Sequence, residues 1–325
     1  MKIAVTGSIA TDHLMSFPGR FAEQLLADQL HNVSLSFLVD ELVLRRGGTA
    51  ANIAFGMAQL GLSPVLLGAV GSDFADYRSW LERHGVDCDS VHVSDVAHTA
   101  RFVCTTDLDM CQIASFYAGA MSEARNIELR PVAERVGGLD LVLVSSNDPA
   151  AMLRHSAECR DRGYAFVADP SQQLARMPGS DVVALIDGAD YLMTNQYEKS
   201  LLQSKAELTD EQLLERVKVR VTTLGKDGVE IAGRDIETLR VPIAREIQAT
   251  DPTGVGDGFR AGFFAALSWG LDLERAAQTG CLLATLVLEN FGGQEYEVRN
   301  DVFVKRMAES YGDAAAEAVR PHLHP

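Results

Sequence analysis

Short apolar runs recur along the chain, with helical patterns between them. The runs are "KIAVTG" (2–7), "PVLLGAVG" (64–71), "LDLVLVSS" (139–146), "YAFVAD" (164–169), "YLMTN" (191–195) and "VRVTTLG" (219–225). Each predicts a short buried strand. Apolar residues at helical spacing over 49–60, 74–84, 149–162 and 197–203 predict helices between them. Continuous apolar strands separated by helices imply a parallel sheet covered on both faces. In such sheets ligands bind at the carboxyl ends of the strands.

Two segments break this rhythm. Residues 11–46, with "VSLSFLVDELVLRR", and 97–120, "AHTARFVCTTDLDMCQIASFYAGA", alternate as strands with one exposed face do. The second predicts a hairpin turning around Asp107–Met110, which would set Phe102 opposite Phe116. Together the segments predict a small antiparallel sheet at the edge of a large α/β domain formed by 1–10, 47–96 and 121–325. Hinged over the strand ends, that sheet would be a lid.

Composition narrows the chemistry. A net charge of −16 over 325 residues argues against a nucleic-acid polymer or an anionic membrane as partner. Any bound phosphate must then be held by local donors and metal. Five cysteines without paired-ligand spacing read as reduced thiols of a cytoplasmic protein. The apolar stretch in "MKIAVTGS" is too short for a signal peptide. "GCLLATLVL" (280–288), the longest apolar segment, is far below membrane-spanning length. His13, His31 and His98 lack metal-ligand spacing, and Arg45–Arg46 reads as a solvated lid edge that could assist closure over phosphate.

The stretch "QATDPTGVGDGFRAGFF" (248–264) sets Asp257 among three glycines and then runs into apolar helix. Gly254, Gly256 and Gly258 describe a bare, turning backbone. Helical spacing from Phe259 onward puts the helix start at about Asp257. The first turn of a helix offers unpaired N–H donors and the positive end of the dipole, a site for phosphate. Asp257 is then either an N-cap or a carboxylate with a chemical role. A second glycine turn, Gly47–Gly48, is followed by Asn52 one helical turn later, and Asp12 follows the first strand; both could meet sugar hydroxyls.

The order Asp12, "GG…N" at 47–52, "NQYE" at 195–198, "TTLGKDG" at 222–228 and "DPTGVGD" at 251–257 resembles the ribokinase-like (PfkB) carbohydrate and nucleoside kinases over nearly the whole chain. Neither a GxxxxGK[ST] phosphate loop nor a GxGxxG after the first strand is present. The family motif usually reads GAGD, and Val255 takes the alanine position here. The resemblance implies a ribokinase-like three-layer α/β/α domain with a mostly parallel sheet and a small antiparallel β lid. It implies Asp257 as general base towards a substrate hydroxyl, with the N–H groups of Gly254, Val255 and Gly256 as anion hole. The helix dipole would favour ionised Asp257. It assigns Asn195, Thr223, Gly225, Lys226, Asp227, Gly228 and Gly256 to ATP. Glu198 would position Mg²⁺ indirectly, and Asp251 and Thr253 would ligate a monovalent cation, usually K⁺.

A narrower likeness, to the adenosine kinases of mycobacteria and related actinobacteria, is carried by "VTGSIATDHL", "HTARF", "QIASFY", "AMSEARNI" and "DPSQQLAR". On that likeness Ser8, Ser36, Phe37, Gln172 and Gln173 line a nucleoside pocket with Asp12, Gly48 and Asn52. Phe102 and Phe116 would stack against adenine, Arg176 would lie near the phosphates, and a homodimer would form through the lid. The implied reaction is ATP + adenosine → AMP + ADP at the 5′-hydroxyl. The alternative is a ribokinase-type sugar kinase, or a kinase of another purine nucleoside, with the same machinery.

Overall fold

A computed structural model describes residues 1–24, 31–32 and 34–323; residues 25–30 and 33 of the expected lid segment, and the last two residues, lie outside it. The strands, in chain order, are β1 (Ile3–Thr6), β2 (Ala10–Ser16), β3 (Glu41–Gly47), β4 (Val65–Leu67) and β5 (Ala69–Gly71). Then come β6 (His92–Ser94), β7 (Ala100–Thr106), β8 (Gln112–Tyr117), β9 (Leu141–Val144) and β10 (Phe166–Ala168). The last are β11 (Tyr191–Asn195), β12 (Val219–Thr223), β13 (Val229–Gly233) and β14 (Ile236–Val241).

Eight strands form the central sheet in the order β14-β13-β12-β11-β10-β9-β1-β4. It is parallel from β4 to β12, and β13 and β14 continue it antiparallel. Alternate residues of one strand serve two cores. Ile3, Val5, Leu141 and Leu143 pack on one face, and Ala4, Val142 and Val144 on the other. Both faces are dry, so these strands read as unbroken apolar runs rather than as alternation. The helices Thr49–Gln59, Val255–Ser268 and Leu273–Leu288 cover the first face; Pro149–Arg162, Gly179–Ile186 and Gln196–Ala206 cover the second. The result is the three-layer, ribokinase-like α/β architecture expected from the sequence.

A separate sheet runs β3-β2-β7-β8, with β2 and β7 parallel and the outer pairs antiparallel. The hairpin forms as expected, with Phe102 directly opposite Phe116. Asp107 builds its turn: one carboxylate oxygen accepts the N–H groups of Asp109 and Cys111, the other that of Phe21. One expectation fails. Alternation over 33–46 predicted strand throughout, yet only Glu41–Gly47 pairs, and the described residues 34–40 form no strand. Phe37 instead joins Phe17 and Phe21 in an aromatic cluster, with ring centroids 5.1 and 5.3 Å away. "PVLLGAVG" also divides, because Gly68 separates β4 in the main sheet from β5, which pairs with β6.

Candidate active site

Strand order reverses at β1, with β4 on one side and β9 on the other, and a ligand crevice opens at such a point beyond the strand ends. A cavity of about 430 Å³ lies there. Ser8 follows β1 and Ser146 follows β9, and the Ser8 N–H donates to Ser146 O at 2.9 Å. The Ser8 hydroxyl also accepts the Thr49 N–H, anchoring the start of Thr49–Gln59. Gly48, just before this helix, takes φ = 95°, and a Cβ there would lie 2.5 Å from Ser8 O. Only glycine fits that turn.

The four-stranded sheet supplies the cavity's other wall. Asp12, Phe102 and Phe116 occupy one cross-strand row of β2, β7 and β8 and line the cavity. Burial lifts the Asp12 carboxyl above its ordinary range, and the Arg45 guanidinium opposes the lift. Gln172, Gln173 and Arg176 close a third side. Two buried polar atoms on this lining, Ser146 Oγ and Gln173 Oε1, have no hydrogen-bond partner among the described residues. Buried polar groups are almost always paired, so these two leave hydrogen-bonding capacity open to a polar ligand.

The helix start takes Asp257 out of the N-cap position. The helix begins at Val255, two residues earlier than expected, because Gly254 takes φ = 78° and turns the chain into it. Asp257 therefore sits inside the first turn, and no side chain caps this end. Its Oδ2 accepts the Asn52 Nδ2–H at 2.9 Å. Burial pushes its carboxyl up to about 6, against the Asn52 hydrogen bond and the Arg260 charge, while Asp169 and Glu198 add to the rise. Burial thus makes this carboxylate a stronger proton acceptor than an ordinary Asp, and one still mostly ionised at neutral pH.

The turn 252–257 is also the wall of a second cavity of about 340 Å³. Pro252, Val255 and Gly256 face the second cavity, whereas Thr253, Gly254 and Asp257 face the first. Thr223, Gly225, Lys226 and Gly228 line the second from the β12 side, and Phe259, Ala284 and Leu288 give it an apolar floor. The Gly254, Gly256 and Asp257 N–H groups have no backbone partner among the described residues; the Val255 N–H makes a 3.3 Å bond to Pro252 O. A carboxylate facing one cavity and backbone donors on the shared wall can take a hydroxyl proton on one side and hold a phosphate on the other.

Several expected site residues lie elsewhere. Ser36, Phe37 and Asp227 line neither cavity. Asn195 and Glu198 form a reciprocal capping box on Gln196–Ala206, which gives NxxE a local structural reason besides any role at phosphate. Asp251 builds a turn: its oxygens accept the Thr253 and Gly292 N–H groups, both at 2.9 Å. Among the described residues no three or more His, Cys, Asp or Glu side chains converge as a metal site. Other residues sequence reading missed. Arg260 and Asp169 form a buried fork, Nε–Oδ2 2.6 Å and Nη2–Oδ1 2.5 Å, directly behind Asp257, and Arg260 Nη1 also donates to Gly256 O. Gln294 donates to Asn52 Oδ1. Arg260 had a signal, a cation one helical turn after the acid; Gln294 had none.

Residues 9–299 match the model of the pfkB family carbohydrate kinases. The chain belongs to that family. It is 32% identical to a nucleoside kinase of Methanothermobacter thermautotrophicus over 289 residues, 88% of this chain and 92% of the relative. The nucleoside kinase of Burkholderia thailandensis in complex with inosine superposes with a TM-score of 0.82 at 30% identity, covering 95% of this chain and 98% of that one. That protein has also been solved in complex with ADP-inosine, at a TM-score of 0.81 and 32% identity, covering 95% of this chain and 96% of that one. No helix among the described residues is long and apolar enough to cross a membrane.

Proposed function

We propose that this pfkB kinase phosphorylates the 5′-hydroxyl of a purine nucleoside at the expense of ATP, with adenosine as preferred substrate, giving AMP and ADP. The observation that carries the reading is the shared wall: one turn presents Asp257 to a polar cavity and Val255 and Gly256, the latter's N–H without a backbone partner among the described residues, to an apolar one. The nucleoside lies in the first cavity, its sugar hydroxyls on Asp12 and Asn52, its base against Phe102 and Phe116. ATP enters the second cavity with its terminal phosphate at the helix start. Asp257 receives the 5′-hydroxyl proton as that oxygen meets the phosphoryl group.

ATP would bring magnesium, whose charge would offset that of the phosphates. Glu198 fits an indirect role there: burial lifts its carboxyl, so a nearby cation would favour its ionised form. Potassium at Asp251 and Thr253 is proposed on the family pattern. Burial works to raise the Asp251 carboxyl, but the N–H donors of Thr253 and Gly292 win and hold it below its ordinary range.

Inosine is the second reading, favoured by the Burkholderia complex. A carboxamide such as Gln173 can offer oxygen to adenine N6–H or to hypoxanthine N1–H, so this contact alone does not rank the two purines. Rates with ATP and adenosine, inosine, guanosine, ribose or fructose rank them directly. Adenosine should give the highest kcat/KM; a free sugar exceeding every nucleoside would overturn the assignment. Phe102→Ala should lower kcat/KM for adenosine about 10- to 100-fold, the scale of one base–aromatic stack, and leave ribose almost unchanged.

We also infer that the four-stranded sheet is a lid and that two copies join through it. Leu42, Leu44, Ile113 and Tyr117 are exposed and share the face turned away from Asp12 and Phe102. Strands β3 and β8 are open edges besides. Light scattering at working concentration should give the mass of two chains; one chain's mass would remove the idea.

A further inference from the structure

Asp257 depends on which end of the Asn52 carboxamide faces it, since the nitrogen stabilises a carboxylate and the oxygen repels one. We propose that Trp80 and Gln294 are positioning residues for Asp257, fixing the Asn52 amide so that its N–H meets the carboxylate. The polarity starts at the indole, which can only donate. Trp80 Nε1–H donates to Gln294 Oε1 at 3.2 Å. With its oxygen committed, Gln294 turns Nε2 the other way and donates to Asn52 Oδ1 at 2.9 Å and to the Tyr77 hydroxyl at 2.5 Å. Tyr77 passes its own hydrogen to Gly47 O at 2.9 Å. Asn52 then has only its NH₂ left for Asp257.

The relay is dry and braced. Gln294 is 1% exposed and Asn52 6%. The Trp80 ring stacks near Phe55, and the Arg46 guanidinium sits 4.2 Å from its centroid. Arg46 belongs to β3 and lines the polar cavity, so the relay begins under the edge of the four-stranded sheet. The other groups facing Asp257 are Arg260 on its own helix, Asp169 after β10, Glu198 in the first turn of Gln196–Ala206, and the buried Tyr296 phenol. Of the groups that act on the Asp257 carboxyl, Asn52 and Arg260 favour its ionised form, and Asp169 and Glu198 oppose it. An amide turned the wrong way would remove one of the two supports.

The base role rests on the proposed function; the relay does not, and its test reads the carboxyl itself. Carboxyl-¹³C-labelled aspartate in the ligand-free full chain gives the Asp257 titration by NMR. Gln294→Leu should raise its midpoint by about half to one pH unit, and Trp80→Phe, which keeps the ring and deletes the N–H, should raise it in the same direction. Trp80→Phe added to Asn52→Ala should bring no further shift. If Gln294→Leu does not fold, Gln294→Met keeps the volume and serves the same reading. In turnover, the acid limb of kcat/KM should move up with the midpoint and kcat should fall several-fold. An Asp257 midpoint unmoved in both Trp80→Phe and the Gln294 variant would overturn the proposal, whether or not the chain proves to phosphorylate nucleosides.

Discussion

Asp257→Asn should lower kcat by about 10²–10⁴-fold, the usual worth of a general base, while calorimetry still records nucleoside binding. The same change should make the protein more stable at pH 7.5. Burial pushes this half-buried carboxyl up to about 6 from an ordinary 3.8, so between those values the native state holds a proton that the unfolded chain has released. Native stability therefore falls as pH rises through that window, and above it the ionised group costs on the order of 1–3 kcal/mol. An asparagine carries no such cost, and its Oδ1 still accepts the Asn52 N–H. The melting-temperature gain should appear as pH climbs from about 4 to about 6 and vanish below 4. Wild-type kcat/KM should fall tenfold per pH unit below about 6, because only the ionised carboxylate accepts a proton. A variant with unaltered turnover would end the general-base assignment. A variant less stable than wild type at pH 8 would end the account of its burial.

The same residue shows what a sequence can and cannot disclose. Its helix and its flanking glycines are local facts, and local facts are legible. So are strands such as β1, β9 and β11, whose runs are apolar because both their faces are buried. The register that sets Phe102 against Phe116 was legible too, since a short turn leaves little freedom in a hairpin. Alternation alone misled at residues 34–40, which form no strand with any described residue, and Phe37 packs against Phe17 and Phe21. The helix start was misplaced because periodicity begins at Phe259, whereas the backbone reversal that opens the helix occurs at Gly254. Least legible was everything that depends on distant segments meeting. Asp169 and Arg260 are 91 residues apart, and Asn52 and Gln294 are 242 apart, with no spacing rule to connect them. These pairs decide whether the carboxylate that the motif supplies is held, aimed and charged.

Arg260→Met should be the most destabilising of the substitutions considered. Asp169 is 1% exposed, and the Arg260 fork is its counter-charge, so truncation leaves a buried carboxylate unpaired. Breaking such a pair from one side costs about 3–5 kcal/mol, which for a chain of this size corresponds to a fall in Tm of roughly 5–15 °C. Arg260→Lys should recover little, because an ammonium cannot reproduce two parallel N–H bonds while also reaching Gly256 O. Removing both charges is different: Arg260→Met with Asp169→Asn should regain much of the lost stability, since no isolated charge remains. Activity should not follow stability back. The guanidinium also helps keep Asp257 ionised and holds the Gly256 carbonyl at the helix start. In the double variant the neutralised Asp169 no longer raises the Asp257 carboxyl, so part of the acid-limb shift should cancel. Turnover should nevertheless stay low even at high pH, because the turn shared by the two cavities has lost its brace. Full recovery of both Tm and kcat in the double variant would mean that the pair serves packing alone.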